Sequence, residues 1–289
     1  MPAGNSYLYT CGKPHSFPGI KLPPMRNPDR ETIFYFKRFS VVNRRCAMKV
    51  GTDGVLLAAW CSCPGRRILD VGTGTGVIAL IAAQRFPEAS VTAIDIDPVA
   101  VEEAAANFAS SPWPDRLTAR KQDFNSLSEG NGNPDETEPV DLIVCNPPFF
   151  TNGALAPDEA RRTARHEGSL TLDSLLSGAA KLLRQPDTAA DYPGGVLSLI
   201  LPADREEELK SAAVFNKLEI SRLTRVSTVP TKPPRRILAE LRHRNPTGNS
   251  GISESQPTII ESLSLHGSDG TATGEYSALV SPFYLKPVK

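Results

Sequence analysis

The chain has no excess of charge: 32 Lys and Arg offset 32 Asp and Glu in 289 residues. A uniformly cationic surface of the kind that coats nucleic acid is therefore excluded, and any such partner must be met by local patches. Long apolar runs are also missing. No stretch approaches the roughly eighteen residues that a membrane-spanning helix requires, so no membrane partner is expected. Cysteine is scarce and has no pairing pattern. Cys11, Cys46, Cys61, Cys63 and Cys145 form an odd set, and no secretory leader is evident. The expectation is a reducing cytoplasm rather than a disulfide framework. Cys61-Ser62-Cys63 lacks the spacing of a redox pair and has no second pair to hold zinc, so no metal centre is expected. His15, His243 and His266 show no catalytic spacing, and no serine–histidine–acid set can be read from linear order.

What is present is an alternation of apolar runs and helical patterns. "RRILDV", "ASVTAID", "RLTARKQD", "DLIVC" and "GVLSLIL" read as strands, with helical segments between them. Helices are expected near Thr171–Arg184 and Ala203–Val214, and from Gly54 and Pro98. Asp97 suits an N-cap and Pro98 the first helical position. Strands alternating with helices of this length imply a mostly parallel α/β sheet covered on both faces. "LEISRLTRVST" and "PRRILAELRH" add an antiparallel hairpin at the sheet edge, for seven strands in all. Residues 1–30 read as a flexible arm, 31–243 as the main body and 244–289 as an extension. In that extension a Ser/Gly-rich loop to about Ile260 precedes a segment, "YSALVSPFYL", that docks back. The acidic stretch Ser128–Pro139 reads as a mobile loop.

"LDVGTGTGVIAL" places Gly72, Gly74 and Gly76 between a strand and a helix. Missing side chains let backbone approach a ligand, and the helix start offers free N–H groups. The spacing is G-x-G-x-G, not the G-x-G-x-x-G of dinucleotide sites, and Asp70 precedes it. That favours a ligand without a pyrophosphate and with a cationic group. The alternative is a tight turn with no ligand. Asp95 ends the second strand, where a carboxylate can take both ribose hydroxyls. Asp123 follows the third, where it can accept from an adenine amino group with Ile96 or Phe124 packing on the ring. Solvated strand-end acids remain the alternative for both.

At "DLIVCNPPFF" an apolar strand meets Asn146-Pro147-Pro148-Phe149. Proline lacks an N–H and biases its predecessor to extended geometry, so the chain leaves the sheet along a stiff edge. The Asn146 amide oxygen and the Pro147 carbonyl are acceptors suited to a planar amino group, and Phe149 is suited to stack on a base. An ordinary proline turn is the alternative. Basic residues cluster around this core: Lys37, Arg38, Arg44 and Arg45 upstream, Arg161, Arg162, Arg165 and His166 after the Asn-Pro-Pro corner, and Arg222, Arg225, Lys232, Arg235 and Arg236 in the late hairpin. These are candidates to grip phosphates, or simply solvated faces.

Together, Asp70-Val-Gly-Thr-Gly-Thr-Gly76, Asp95, Asp123 and Asn146-Pro-Pro-Phe149 resemble the class I S-adenosylmethionine-dependent methyltransferases of the N6-adenine type. "CAMKVGTDGVLLAAW" and "SPWPDRL" narrow this to a resemblance to the bacterial tRNA1(Val) adenine-37 N6-methyltransferase family, over about Phe34 to His243. The resemblance implies a Rossmann-like fold, S-adenosylmethionine as cofactor and tRNA as substrate for a monomeric enzyme. It implies that Gly72, Thr73, Gly74 and Gly76 line the cofactor and Asp95 holds its ribose. Asp123 and Phe124 would flank its adenine, and Thr52 and Asp53 would lie near its methionine end. Asn146, Pro147, Pro148 and Phe149 would form the catalytic edge. Two other readings stay open: methylation of a protein glutamine amide, whose nitrogen lone pair is delocalised as that of an adenine amino group is, and a non-catalytic RNA-binding module.

Overall fold

The computed structural model describes residues 32–44, 50–130, 138–147, 170–187, 189–244 and 257–286. The elements in chain order are β1 (Thr32–Tyr35), β2 (Ser40–Asn43), α1 (Thr52–Trp60), β3 (Arg67–Val71), α2 (Val77–Arg85), β4 (Ser90–Asp95), α3 (Pro98–Ala109), β5 (Leu117–Lys121), α4 (Phe124–Ser128) and β6 (Leu142–Cys145). They continue with α5 (Leu172–Leu182), β7 (Val196–Pro202), α6 (Glu206–Phe215), β8 (Leu218–Ser227), β9 (Arg236–His243), β10 (Ile259–Ser264) and α7 (Gly274–Val280).

The main sheet runs β10-β8-β9-β7-β6-β3-β4-β5. β9 alone is antiparallel to its neighbours; the other pairings are parallel. The sequence reading expected seven strands with the hairpin at the edge. Among the described residues there are eight, and β10 lies outside the hairpin, pairing in parallel with β8. A separate antiparallel ribbon, β1–β2, was not anticipated. The helix expected from Gly54 begins at Thr52.

Strand residues alternate between two cores, as the pleat requires. Ile68, Leu142, Val144 and Val196 face a layer built on α1, α2, α3 and α7. Leu69, Ile143, Cys145 and Leu197 face α4, α5 and α6. α7 and the turn after it fix the end of the described chain to its start: Phe283 is buried, Lys37 N donates to its carbonyl at 2.7 Å, and Phe36 bridges Tyr284. The "YSALVSPFYL" segment thus packs on the body.

The chain moves outward from β3 through β4 to β5, then returns to place β6 on the other side of β3. This reversal of strand order opens a crevice above the carboxyl ends of β3 and β6, where ligands of open α/β sheets bind. Register puts Val71 beside Cys145 and beside Ile94. The glycine turn and Asn146 therefore leave the sheet as immediate neighbours.

Candidate active site

The glycine turn is pinned from below. Gly72 N and Thr73 N both donate to the Ile94 carbonyl, at 2.9 and 3.1 Å. Gly74 N donates to Asp95 Oδ2 at 3.0 Å, while Asp95 Oδ1 accepts from Asp97 N at 3.0 Å. Asp95 therefore holds the turn as well as presenting its remaining lone pairs. Asp97 caps α3 through Val99 N at 2.9 Å, with Pro98 in the first turn, as its sequence suggests.

Asp70 is fully buried beneath the turn, where Thr73 Oγ1 donates to its Oδ2 at 2.6 Å. Its Oδ1 is buried with no partner among the described residues. Burial is the main reason that its pKa is pushed up to about 7, against an ordinary value of 3.8. A buried carboxylate with one oxygen unpartnered among the described residues suits a cationic ligand above the turn. The linkage sign follows. Between the unfolded pKa and about 7, the unfolded chain sheds this proton while the folded chain keeps it, so stability falls as pH rises through that window. Asp70→Asn is expected to flatten the decline in stability of the ligand-free protein from about pH 4 to 7 and to weaken S-adenosylmethionine binding. Matching thermal-melt curves for the variant and the parent across that range would refute the assignment.

Ile96 follows Asp95 and is 58% exposed, an apolar surface at the rim of the crevice. Asp123 caps α4 through Asn125 N at 3.0 Å. Phe124 departs from expectation: it is 2% exposed and its ring packs on Gly178 of α5, so no face is presented to an adenine. α4 turns the ring inward because the lower core needs it. Thr52 and Asp53 open α1, whose Gly54 packs against Val77 and Ile78 at the start of α2. The two helix N-termini thus meet beside the turn, and Asp53 accepts from Arg236 Nε at 2.8 Å.

At the end of β6, Asn146 is half-buried and Pro147 buried. The Asn146 side chain has no hydrogen bond among the described residues. Pro148, Phe149, Arg45, Arg161, Arg162, Arg165 and His166 lie outside the described residues, as does the segment 1–30. Burial pushes the Cys145 thiol well above its ordinary pKa and that of Cys61 up to about 12, so neither serves as a nucleophile.

The upstream basic residues do not gather at this crevice. β2 runs antiparallel to α3: Val42 meets Asn107, and Arg44 N donates to Glu103 Oε2 at 3.1 Å. Arg44 therefore approaches the catalytic end, but the β1–β2 turn points the other way. There Lys37 Nζ donates to the Ser281 carbonyl at 2.6 Å and Arg38 lies over the Trp113 ring, 5.2 Å from its centre. The phosphate role expected of Lys37 and Arg38 is not matched by their position.

Asn107 is a residue the sequence reading passed over. It is 2% exposed; its Nδ2 donates to the Thr75 carbonyl at 2.9 Å and the Val42 carbonyl at 3.0 Å, and its Oδ1 accepts from Val42 N at 2.9 Å. One amide thus ties the glycine turn to β2. The signal was there: Ala100, Glu103, Ala104, Asn107 and Phe108 form the buried stripe of α3, and an asparagine in such a stripe must be hydrogen-bonded.

A Rossmann-like sheet with a glycine turn after its first parallel strand, acids ending the next two and Asn-Pro at the fourth defines a class I methyltransferase fold. The segment 48–171 matches the family model described as "Methyltransferase small domain". The chain is 45% identical over 260 residues to a tRNA1(Val) (adenine(37)-N6)-methyltransferase of Porphyromonas gingivalis, spanning 87% of this chain and 94% of that protein. It is 39% identical over 254 residues to the Yersinia enterocolitica protein of the same name, spanning 87% and 92%. In fold it resembles a predicted O-methyltransferase from Agrobacterium tumefaciens, with a TM-score of 0.56 at 18% identity, covering 80% of this chain and 96% of that one. The chain belongs to the tRNA1(Val) (adenine(37)-N6)-methyltransferase family.

Proposed function

We propose that this protein methylates the N6 amino group of adenine 37 in tRNA1(Val), with S-adenosylmethionine as donor. The carrying observation is that Asn146-Pro147 leaves β6 directly beside the glycine turn of β3, in a chain of this family. The residues fit the cofactor. Among the described residues, space is open above Gly72 and Asp70 holds a buried oxygen without a partner, and the Asp95 carboxylate sits at the strand end. Bound S-adenosylmethionine supplies a methyl group on a cationic sulfur, already activated for transfer.

The chain's contribution is placement. An adenine amino group is a poor nucleophile because its lone pair is delocalised into the ring. The Asn146 amide oxygen and the Pro147 carbonyl accept from its two N–H bonds and favour a more tetrahedral nitrogen. Proline fixes that carbonyl without side-chain entropy. The Asn146-Pro147 edge would hold that nitrogen in line with the donor methyl, and the extra proton would leave to solvent after transfer. In-line placement supplies most of the effect, so no dedicated base is invoked. We place Pro148 and Phe149 in the same edge, with Phe149 stacking on the base. Charge for the RNA backbone comes from Arg44 and Arg45 and from Arg161, Arg162, Arg165 and His166 after the corner. We further propose a monomer working in the cytoplasm, with 31–243 as the catalytic body and 244–289 as an extension; the arm expected at 1–30 lies outside the described residues.

The test supplies labelled methyl donor with unmodified tRNA, ribosomal RNA and release factor in parallel, followed by nucleoside analysis. N6-methyladenosine at position 37 of tRNA1(Val) is expected. Label on a glutamine of the release factor would replace this reading with the protein-methylating one. Cofactor binding without transfer to any of the three would favour a non-catalytic module.

A further inference from the structure

Five basic residues of the late hairpin are candidates to hold phosphates, and the structure divides them. Arg222 pairs with Glu261 at 3.0 Å, Arg225 with Glu206 at 2.7 Å and Arg236 with Asp53 at 2.8 Å. Lys232 and Arg235 are exposed and form no ion pair among the described residues. Both lie in the turn 228–235, "TVPTKPPR", which has no acidic residue.

This turn is built, not loose. Lys232 N donates to the Val229 carbonyl at 3.1 Å and Arg235 N to the Val226 carbonyl at 2.8 Å. Ala203 N donates to the Arg235 carbonyl at 3.1 Å, and His266 N to the Thr228 carbonyl at 2.9 Å. Pro230, Pro233 and Pro234 stiffen it further. Two cations are thus held out on a rigid frame, which lowers the ordering cost of binding.

Its position is set by the sheet. β8 and β7 run in the same direction, so the turn between β8 and β9 emerges at the carboxyl ends, with the glycine turn and Asn146. Leu199 is level with Cys145, while Arg236 pairs with Pro202, three residues further on. At about 3.3 Å per residue the turn stands roughly 10 Å above the level of Cys145, and two to three strand spacings displace it roughly 10–14 Å sideways. That is a wall beside the crevice, at the distance of the nucleotides flanking an inserted base. The Arg236–Asp53 pair fastens its base to the N-terminus of α1.

We propose that the turn 228–235 is an RNA-docking element, in which Lys232 and Arg235 each hold a phosphate of the strand whose adenine enters the site. The proposal rests on the tRNA-methylating reading and specifies its surface.

The test compares Lys232→Gln/Arg235→Gln with Lys181→Gln/Lys217→Gln, a control that removes the same charge. Lys217 immediately precedes β8 and Lys181 lies in the last turn of α5, both exposed and at the opposite end of the sheet. Each protein is titrated with unmodified tRNA1(Val) at several salt concentrations, and methyl transfer is followed alongside. The turn variant is expected to bind tRNA about tenfold more weakly, with its salt slope reduced by about 1.4, the share of two phosphate contacts on a single strand. Its affinity for S-adenosylmethionine should stay at the parent value, and the control should match the parent throughout. A turn variant with parental tRNA affinity and slope overturns the docking role, as does a control with equal losses. Failure of the parent enzyme to methylate tRNA1(Val) would instead overturn the activity reading, while the binding slopes still judge the turn.

Discussion

Asn146→Ala is expected to slow methyl transfer to tRNA by at least about a hundredfold while S-adenosylmethionine still binds, by analogy with the loss of one oriented polar group from a preorganised site. The side chain is half-buried and its amide is uncommitted among the described residues, so its removal breaks no bond of the fold. Pro147, buried beside it, keeps the backbone edge in place. Stability should therefore change by no more than about 0.5 kcal/mol. Asn146→Asp retains one acceptor oxygen and should keep part of the rate, a distinction that mere damage to the corner would not produce. Single-turnover transfer, with calorimetry for the cofactor, gives the reading. A rate within threefold of the parent would remove Asn146 from the reaction and leave the Pro147 carbonyl as the sole acceptor.

Much of this site was legible because the chemistry sits at strand ends. A run such as "RILDV" followed by glycines states both its strand and its exit, and the same holds for Asp95 and for Asn146. The order of strands follows from the strand–helix repeats that precede it. Less local features did not show. β10 pairs with β8 some forty residues earlier, and its Ile259 and Ile260 are about 60% exposed, so neither an alternating pattern nor a buried run announced it. Phe124 could face crevice or core from a one-turn helix, and only the gap at Gly178 decides. Lys37 and Arg38 read as a grip on RNA because they adjoin other basic residues in sequence. The antiparallel course of β2 along α3 carries them to the far end of the sheet. Charge in the late hairpin could be counted in advance, but which cations were already paired could not.

The second large effect concerns two glycines that look alike in sequence. Both have positive φ, +71° at Gly72 and +82° at Gly76. A Cβ on Gly72 would meet nothing within 4 Å among the described residues, whereas on Gly76 it would lie 2.5 Å from Phe108 Cε1 and 3.3 Å from the Ala104 Cβ. Gly72 thus leaves room for a ligand, and Gly76 lets α3 close on the turn. Gly76→Ala combines left-handed backbone strain with overpacking, each about 1–3 kcal/mol, and should lower the melting temperature by roughly 5–15 °C. Gly72→Ala carries only the backbone term and should cost a few degrees, yet it should lose far more cofactor affinity relative to its stability loss. Phe108→Leu removes the clashing ring edge, so in a double-mutant cycle it should couple to Gly76→Ala by about 0.5–3 kcal/mol and not to Gly72→Ala. Denaturant titration of the three single and two double variants against the parent measures this. Equal stability losses at the two glycines, with no coupling to Phe108, would mean that the turn is one undivided loop and that the open space above Gly72 has no special claim to the ligand.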